Sequence, residues 1–306
     1  MEPFAVFLTS FGSPEQLDEI PEFLRNIRQG RPTPEKLVRE VQERYARIGG
    51  ASPLPALVGL QARALQARLQ TRAPESRVYV GMLYWKPYIH DVARIIHQDG
   101  YRRWVVIPLA PQYSRVSVGT YLAAVDRAVA DLESKPIVHK VERWGDHPDF
   151  IAAVASHVQE ALARFPNPED VVTVFTAHSI PMHFVKEGDP YPQEVEESAR
   201  RVAETVGLAR WRVAYQSAGA QAVPWLGPDI TDVFTELAQQ GVKHVLVVPI
   251  GFLTDHVEVL YDLDIELKAH ADQLGLHMER SASLNDDPRL IAALEDLVWR
   301  ALAAEE

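Results

Sequence analysis

The sequence predicts an α/β fold: two tandem doubly wound domains, each a parallel sheet of about four strands flanked by helices, with a cleft between them. Three observations predict it. Short runs rich in β-branched residues are apolar throughout rather than alternating, as strands buried on both faces of a parallel sheet are. Longer helical patterns separate these runs. The chain also repeats itself at long range. GYRRWVVIPLAPQYS (100–114) parallels GVKHVLVVPIGFLTD (241–255), and FLTSFGSP (7–14) parallels VFTAHSIP (174–181), in the same order in both halves.

Element by element, strands are expected at 5–11, 77–84, 104–110, 171–177, 212–217 and 244–250, each an apolar run such as AVFLTSF or HVLVVPI. Helices are expected at 55–70, 87–99, 117–132, 192–206 and 229–240, with a last one at 288–303 able to pack on either half. The domains are drawn as 1–150 and 151–306, joined near 140–155. Ligands of such sheets bind beyond the carboxyl ends of strands. The loops to watch are therefore 11–14, 110–121, 177–191, 217–229 and 250–262.

Composition narrows the chemistry. With 306 residues, 47% of them hydrophobic and 24% charged, the chain has the balance of a globular protein with substantial cores. It has no cysteine, which excludes disulfides, thiolate catalysis and cysteine-held iron–sulfur clusters. A net charge of −11 argues against nucleic acid or an anionic membrane surface and suits a cationic ligand. The start, MEPFAVFLTSFG, lacks the basic region of a signal peptide, and no apolar run reaches a membrane span, so the cytosol is the expected compartment. Neither GxGxxG nor GxxxxGK[ST] nor G-x-S-x-G is present, so nucleotide cofactors and a serine nucleophile elbow are not indicated.

Three stretches carry possible chemistry. In AHSIPMHFVKEGDPY (177–191), His178 falls where a buried strand gives way to its loop. That position favours a functional imidazole over a core histidine bonded to backbone. In DHVEVLYDLDIE (255–266), Glu258, Asp262 and Glu266 recur every four residues, with His256 ahead of them. If 256–268 is an α-helix, residues four apart drift only ~40° around the axis and form one acidic row. A solvated helix face is the bland account. A row that starts at a strand's carboxyl end, with Lys268 only at its far end, is better explained as a guide for cations or protons. In PEFLRNIRQGRPTPEKLVREVQERYARIGGASPL (21–54), arginines gather in an acidic chain, and one or two could fork onto ligand carboxylates.

Together AHSIP, GDPYP, YQSAGAQAVPWLGPDI (215–230) and VPIGFLTDHVEVLYDLDIE, with SFGSPE, IRQGRP and ERYARIGGASPL, resemble the ferrochelatase family, most closely its soluble coproporphyrin-using, Gram-positive-type members. The resemblance runs over nearly the whole chain. It implies two Rossmann-like, chelatase-like domains around a porphyrin cleft, and insertion of ferrous iron into a porphyrin in haem biosynthesis. Carried over, His178 and Glu258 are the catalytic pair, on opposing sides of the cleft. Those two with Asp262 and Glu266 are the metal-facing set. Phe11, Arg28, Arg44, Tyr45, Ser52, Tyr121 and Trp225 are the porphyrin-facing set, with Tyr191 a further wall. Which of His178 and Glu258 accepts the pyrrole proton and which delivers iron stays open. Phe11 stands where the Gram-positive-type forms carry a tyrosine able to ligate product iron, and Gln29 replaces one arginine of a pair. The implied substrate is coproporphyrin III, with protoporphyrin IX the alternative and a non-catalytic tetrapyrrole carrier the alternative of another class. No tightly bound cofactor and no iron–sulfur cluster are expected. The expected partners are the porphyrin, ferrous iron and, transiently, neighbouring haem-pathway enzymes, with the chain a monomer.

Overall fold

A computed structural model describes residues 2–219 and 223–304. Part of the 215–230 motif, residues 220–222, thus lies outside the described residues. In chain order the elements are β1 (Ala5–Ser10), α1 (Ile20–Ile27), α2 (Glu35–Arg47), α3 (Leu54–Leu69), β2 (Arg77–Met82), α4 (Ile89–Gln98), β3 (Arg103–Pro108), α5 (Val118–Ala130) and β4 (Ile137–Lys140). They continue with α6 (Pro148–Leu162), β5 (Val172–His178), α7 (Met182–Lys186), α8 (Tyr191–Val206), β6 (Trp211–Gln216), α9 (Ile230–Gln239) and β7 (His244–Val248). The last are α10 (Val257–Leu260), α11 (Lys268–Gln273), β8 (His277–Arg280) and α12 (Pro288–Ala303).

The strands form two four-stranded sheets of identical order, β2-β1-β3-β4 and β6-β5-β7-β8, parallel throughout. This is the tandem α/β arrangement the internal repeat predicts. The central strands are buried along most of their length, and β1 (AVFLTS) along all of it, because helices cover both faces. The outer strands β4 (IVHK) and β8 (HMER) have four residues each and mix polar with apolar side chains. An edge strand needs no continuous apolar run, which is why the sequence pattern names six strands and passes over these two.

One unit comprises Met1–Ala110, Ser117–Arg143 and Asn285–Glu306; the other comprises Pro111–Val116 and Trp144–Leu284. In the first, α12 packs against α3. Trp299 meets Phe4 edge-on at 5.7 Å and takes the Arg72 guanidinium on its face at 4.2 Å, while Gln61 donates to the Asn285 carbonyl at 2.6 Å. In the second, α6 begins inside the 140–155 stretch expected to be a joint. Pro148 supplies a preset φ at its first turn, and the His147 ring accepts from the Asp149 N–H at 3.2 Å. The segment Pro111–Val116 is held there by buried Asp189, which accepts from the Ser114 hydroxyl at 3.0 Å and the Arg115 N–H at 2.8 Å. Among the described residues, no helix is long and apolar enough to cross a membrane.

Candidate active site

β5 and β7 are neighbours in the second unit's sheet, so the loops leaving their carboxyl ends meet. Gly251 makes the meeting close. A Cβ there would lie 2.6 Å from the Ala177 Cβ and 3.0 Å from its Cα, so a side chain would push the β7 loop off β5. That loop leads into α10, which carries Glu258. His178 Nε2 and Glu258 Oε1 come within 3.4 Å of each other. The resemblance puts these residues on opposing sides of a cleft. The structure instead puts them in contact on one unit, because adjacent strands deliver them.

The contacts of this pair favour its charged form. His178 Nδ1 lies against the Ser179 carbonyl and Nε2 against a carboxylate. Both partners are acceptors, which favours hydrogen on both ring nitrogens. Burial lowers the His178 pKa, but the Glu258 charge and hydrogen bond, the Ser179 carbonyl and Asp262 outweigh it, and the pKa is pushed up to about 9. Burial likewise raises Glu258. The charge and hydrogen bond of His178, joined by His256, overcome that and hold the carboxyl well below the usual range. His256 reaches the second Glu258 oxygen through Nε2 at 3.4 Å and anchors its Nδ1 on the Thr254 carbonyl at 2.9 Å. Both shifts favour an imidazolium beside a carboxylate at neutral pH.

The expected α-helix over 256–268 is interrupted. After α10, residues Asp262–Leu267 form a π-helical segment, with the Glu266 N–H donating to the Tyr261 carbonyl five residues back at 2.9 Å. Buried Leu263 and Leu267 plug its inner face, each contributing about 1.5–3 kcal/mol by leaving water. The wider turn, about 4.4 residues, leaves residues four apart slightly short of a full turn, where α geometry carries them slightly past it. The two drifts oppose, so ideal geometry keeps Glu258, Asp262 and Glu266 near one side of the segment. Exposure grows along the row, from half-buried Glu258 and Asp262 to exposed Glu266.

Two residues absent from the sequence-derived set hold the row in place. Gln216, only 2% exposed, ends β6. It accepts from the Thr176 hydroxyl at 3.0 Å and donates to the Glu258 carbonyl at 2.7 Å. Ser217 adopts φ 58°, a left-handed conformation unusual for serine, and its hydroxyl donates to Asp262 at 2.5 Å. Their signal in the sequence was a polar pair closing an apolar strand. Gln216→Leu is expected to strand the Glu258 carbonyl and the Thr176 hydroxyl, costing about 1–3 kcal/mol of stability in urea unfolding.

The remaining candidates separate into two groups. Trp225, half-buried, is brought beside the His178 loop by a bridge to Pro181 and by the Ser179 hydroxyl donating to the Leu226 carbonyl at 2.7 Å. Tyr191 is buried, and desolvation, then Tyr215 and Glu258, push its phenol far above its ordinary range, so it stays neutral. The others lie in the first unit. Phe11, 40% exposed, follows β1 and packs edge-on against Phe23 and Tyr84. Buried Tyr45 shares a 2.8 Å hydrogen bond with Ser13. Buried Ser52 accepts from the Leu54 N–H at 3.3 Å, and Tyr121 is buried on α5. Arg28 closes α1, its Nε donating to the Pro32 carbonyl at 3.2 Å, and Arg44 lies in the last turn of α2. Among the described residues, no three His, Asp or Glu side chains converge as a metal-ligating group.

The family model for ferrochelatase matches residues 3–302. The chain belongs to the ferrochelatase family. Its reaction, insertion of iron into a porphyrin in haem biosynthesis, makes it a lyase and a catalyst rather than a carrier. The ferrochelatase of Herpetosiphon aurantiacus is 44% identical over 298 residues, covering 96% of this chain and 97% of that one. The coproporphyrin III ferrochelatase of Geobacillus thermodenitrificans is 35% identical over 305 residues, covering 98% and 96%. Among solved structures, SirB from Bacillus subtilis with Fe3+ superposes with a TM-score of 0.63 at 15% identity, covering 99% of this ferrochelatase and 97% of that chain, which speaks to the shared fold.

Proposed function

We propose that this ferrochelatase acts on coproporphyrin III, with His178 and Glu258 as the groups that exchange protons and iron with the ring. The observation that carries the catalytic part is the 3.4 Å contact between a histidine and a glutamate at adjacent strand ends, continued outward by Asp262 and Glu266. Metallation releases two pyrrole protons. The resting pair already holds one proton on His178 Nε2, so it has room for a single further proton, on Glu258. Two protons therefore require an exit, and the graded exposure of the acidic row supplies one. Iron and the Nε2 proton compete for the same imidazole lone pair. His178 becomes a ligand or a base only when that proton moves to Glu258 or beyond.

Support for the substrate comes from the first unit's donors and from the coproporphyrin III ferrochelatases among the relatives. Arg28 and Arg44 suit carboxylates, and the Tyr45 and Ser52 hydroxyls can each donate one hydrogen bond. A charged hydrogen bond contributes about 1.5–3 kcal/mol, so two additional satisfied propionates favour coproporphyrin by tenfold or more. Gln29 and the net charge of −11 work against four propionates, which makes protoporphyrin IX the competing substrate. The test is kcat/KM for both porphyrins at matched salt and detergent. The expected result is a preference for coproporphyrin of at least about tenfold that shrinks in Arg28→Ala/Arg44→Ala. A preference for protoporphyrin overturns the assignment.

A further inference from the structure

At the opposite end of the second unit's sheet, two histidines face each other. His244 opens β7 and His277 opens β8, and the two are register partners in the parallel pairing. Their Nδ1 atoms lie 3.3 Å apart, with the rings crossed at 82°. The buried ring of Phe165 packs against both, at 5.8 and 4.9 Å between centroids, and limits how far either can swing. On its other side, His277 presents Nε2 to Glu279 Oε1 at 3.5 Å, and the second oxygen of Glu279 is held by Arg164 at 2.9 Å.

From this arrangement we infer that His244 and His277 form a binding site for a tetrahedral divalent cation of the zinc class, distinct from the site of iron insertion. A metal with bonds of 2.0–2.1 Å to imidazole nitrogen sets two tetrahedral donors about 3.3–3.4 Å apart, the separation found here. Octahedral cis ligands at that bond length would stand closer, at about 3.0 Å. Glu279 meets the second requirement. A carboxylate on the far nitrogen holds the hydrogen there and turns the Nδ1 lone pair toward the metal, as in carboxylate–histidine–zinc units. Each ring would ligate through Nδ1 and carry its hydrogen on Nε2, so the hydrogen that an Nδ1···Nδ1 hydrogen bond needs moves by way of solvent to Nε2 of its own ring as the metal replaces it. Water completes the coordination, since the outer ring faces solvent. The ion would tie edge strand β8 to β7. His244 is one residue before Val245, which is level with Val172, so it lies roughly 20 Å along the sheet from His178 and outside the catalytic constellation.

The test titrates the full chain with cobalt(II) chloride, without porphyrin, and follows visible absorption, with zinc chloride then displacing the cobalt. The expected result is an intense tetrahedral cobalt band that His244→Ala and His277→Ala each abolish and that His178→Ala retains. Glu279→Gln should weaken binding about tenfold while keeping the band's shape. Iron insertion by His244→Ala should match the parent protein. A parent protein without the band overturns the site, and so does a band that survives His244→Ala or disappears with His178→Ala.

Discussion

His178→Ala is expected to reduce iron insertion at least about a hundredfold while porphyrin binding changes little. The imidazole is the one group in the pair that can both hold a proton and present a nitrogen ligand to ferrous iron. Its removal leaves Glu258 with the His256 contact alone. The carboxyl then loses the main charge that offsets its burial, so its pKa rises. The variant would carry a glutamate that holds a proton more readily but has no neighbour to hand it iron. Quenching of porphyrin fluorescence reports binding, and loss of metal-free porphyrin under anaerobic conditions reports turnover. A variant that turns over within a few-fold of the parent removes His178 from the mechanism.

His178 and Glu258 stand out as candidates in the sequence because strand ends in a parallel α/β sheet are few, and an apolar run that ends in a histidine or leads into spaced acids is conspicuous; joining the two as a pair took the family resemblance. The repeat of 100–114 in 241–255 carried the fold in the same way: equivalent strands β3 and β7 occupy equivalent sheet positions, and so share a pattern. What stayed hidden depends on contacts between distant segments. Nothing local in YQS says that Gln216 will support the backbone of a residue 42 positions later, or that Ser217 will turn left-handed to reach Asp262. The π segment was hidden for another reason. Its apolar spacing, Val259, Leu263, Leu267, is four residues, which serves an α-helix and a wider turn equally. The His244–His277 pair was invisible because β8, a polar edge strand, was itself invisible.

Glu258→Gln should be the more informative substitution, because it keeps shape and removes charge. Turnover is expected to fall at least about a hundredfold, against a small effect for Glu266→Gln at the exposed end of the row. The proton balance gives the reason: a glutamine can neither receive the proton His178 must shed nor pass it to Asp262. The same change alters titration. Without the carboxylate, burial opposes the charged imidazole with less to offset it, so the His178 pKa should drop from about 9. A folded pKa raised from about 6.5 to about 9 contributes stability that is fully present below pH 6.5 and is lost as pH rises through 9. The depressed Glu258 pKa contributes above the ordinary carboxylate range and is lost as pH falls through its lowered value. These are two views of one coupled pair and count once. The parent should therefore exceed the variant in stability most clearly between about pH 5 and 7, and the gap should close above pH 9. NMR titration of the His178 ring, together with urea unfolding at pH 6 and pH 9.5, measures both effects. An unchanged His178 titration in Glu258→Gln would mean that the carboxylate does not govern the imidazole, and the proton-exit role of the acidic row would fall with it.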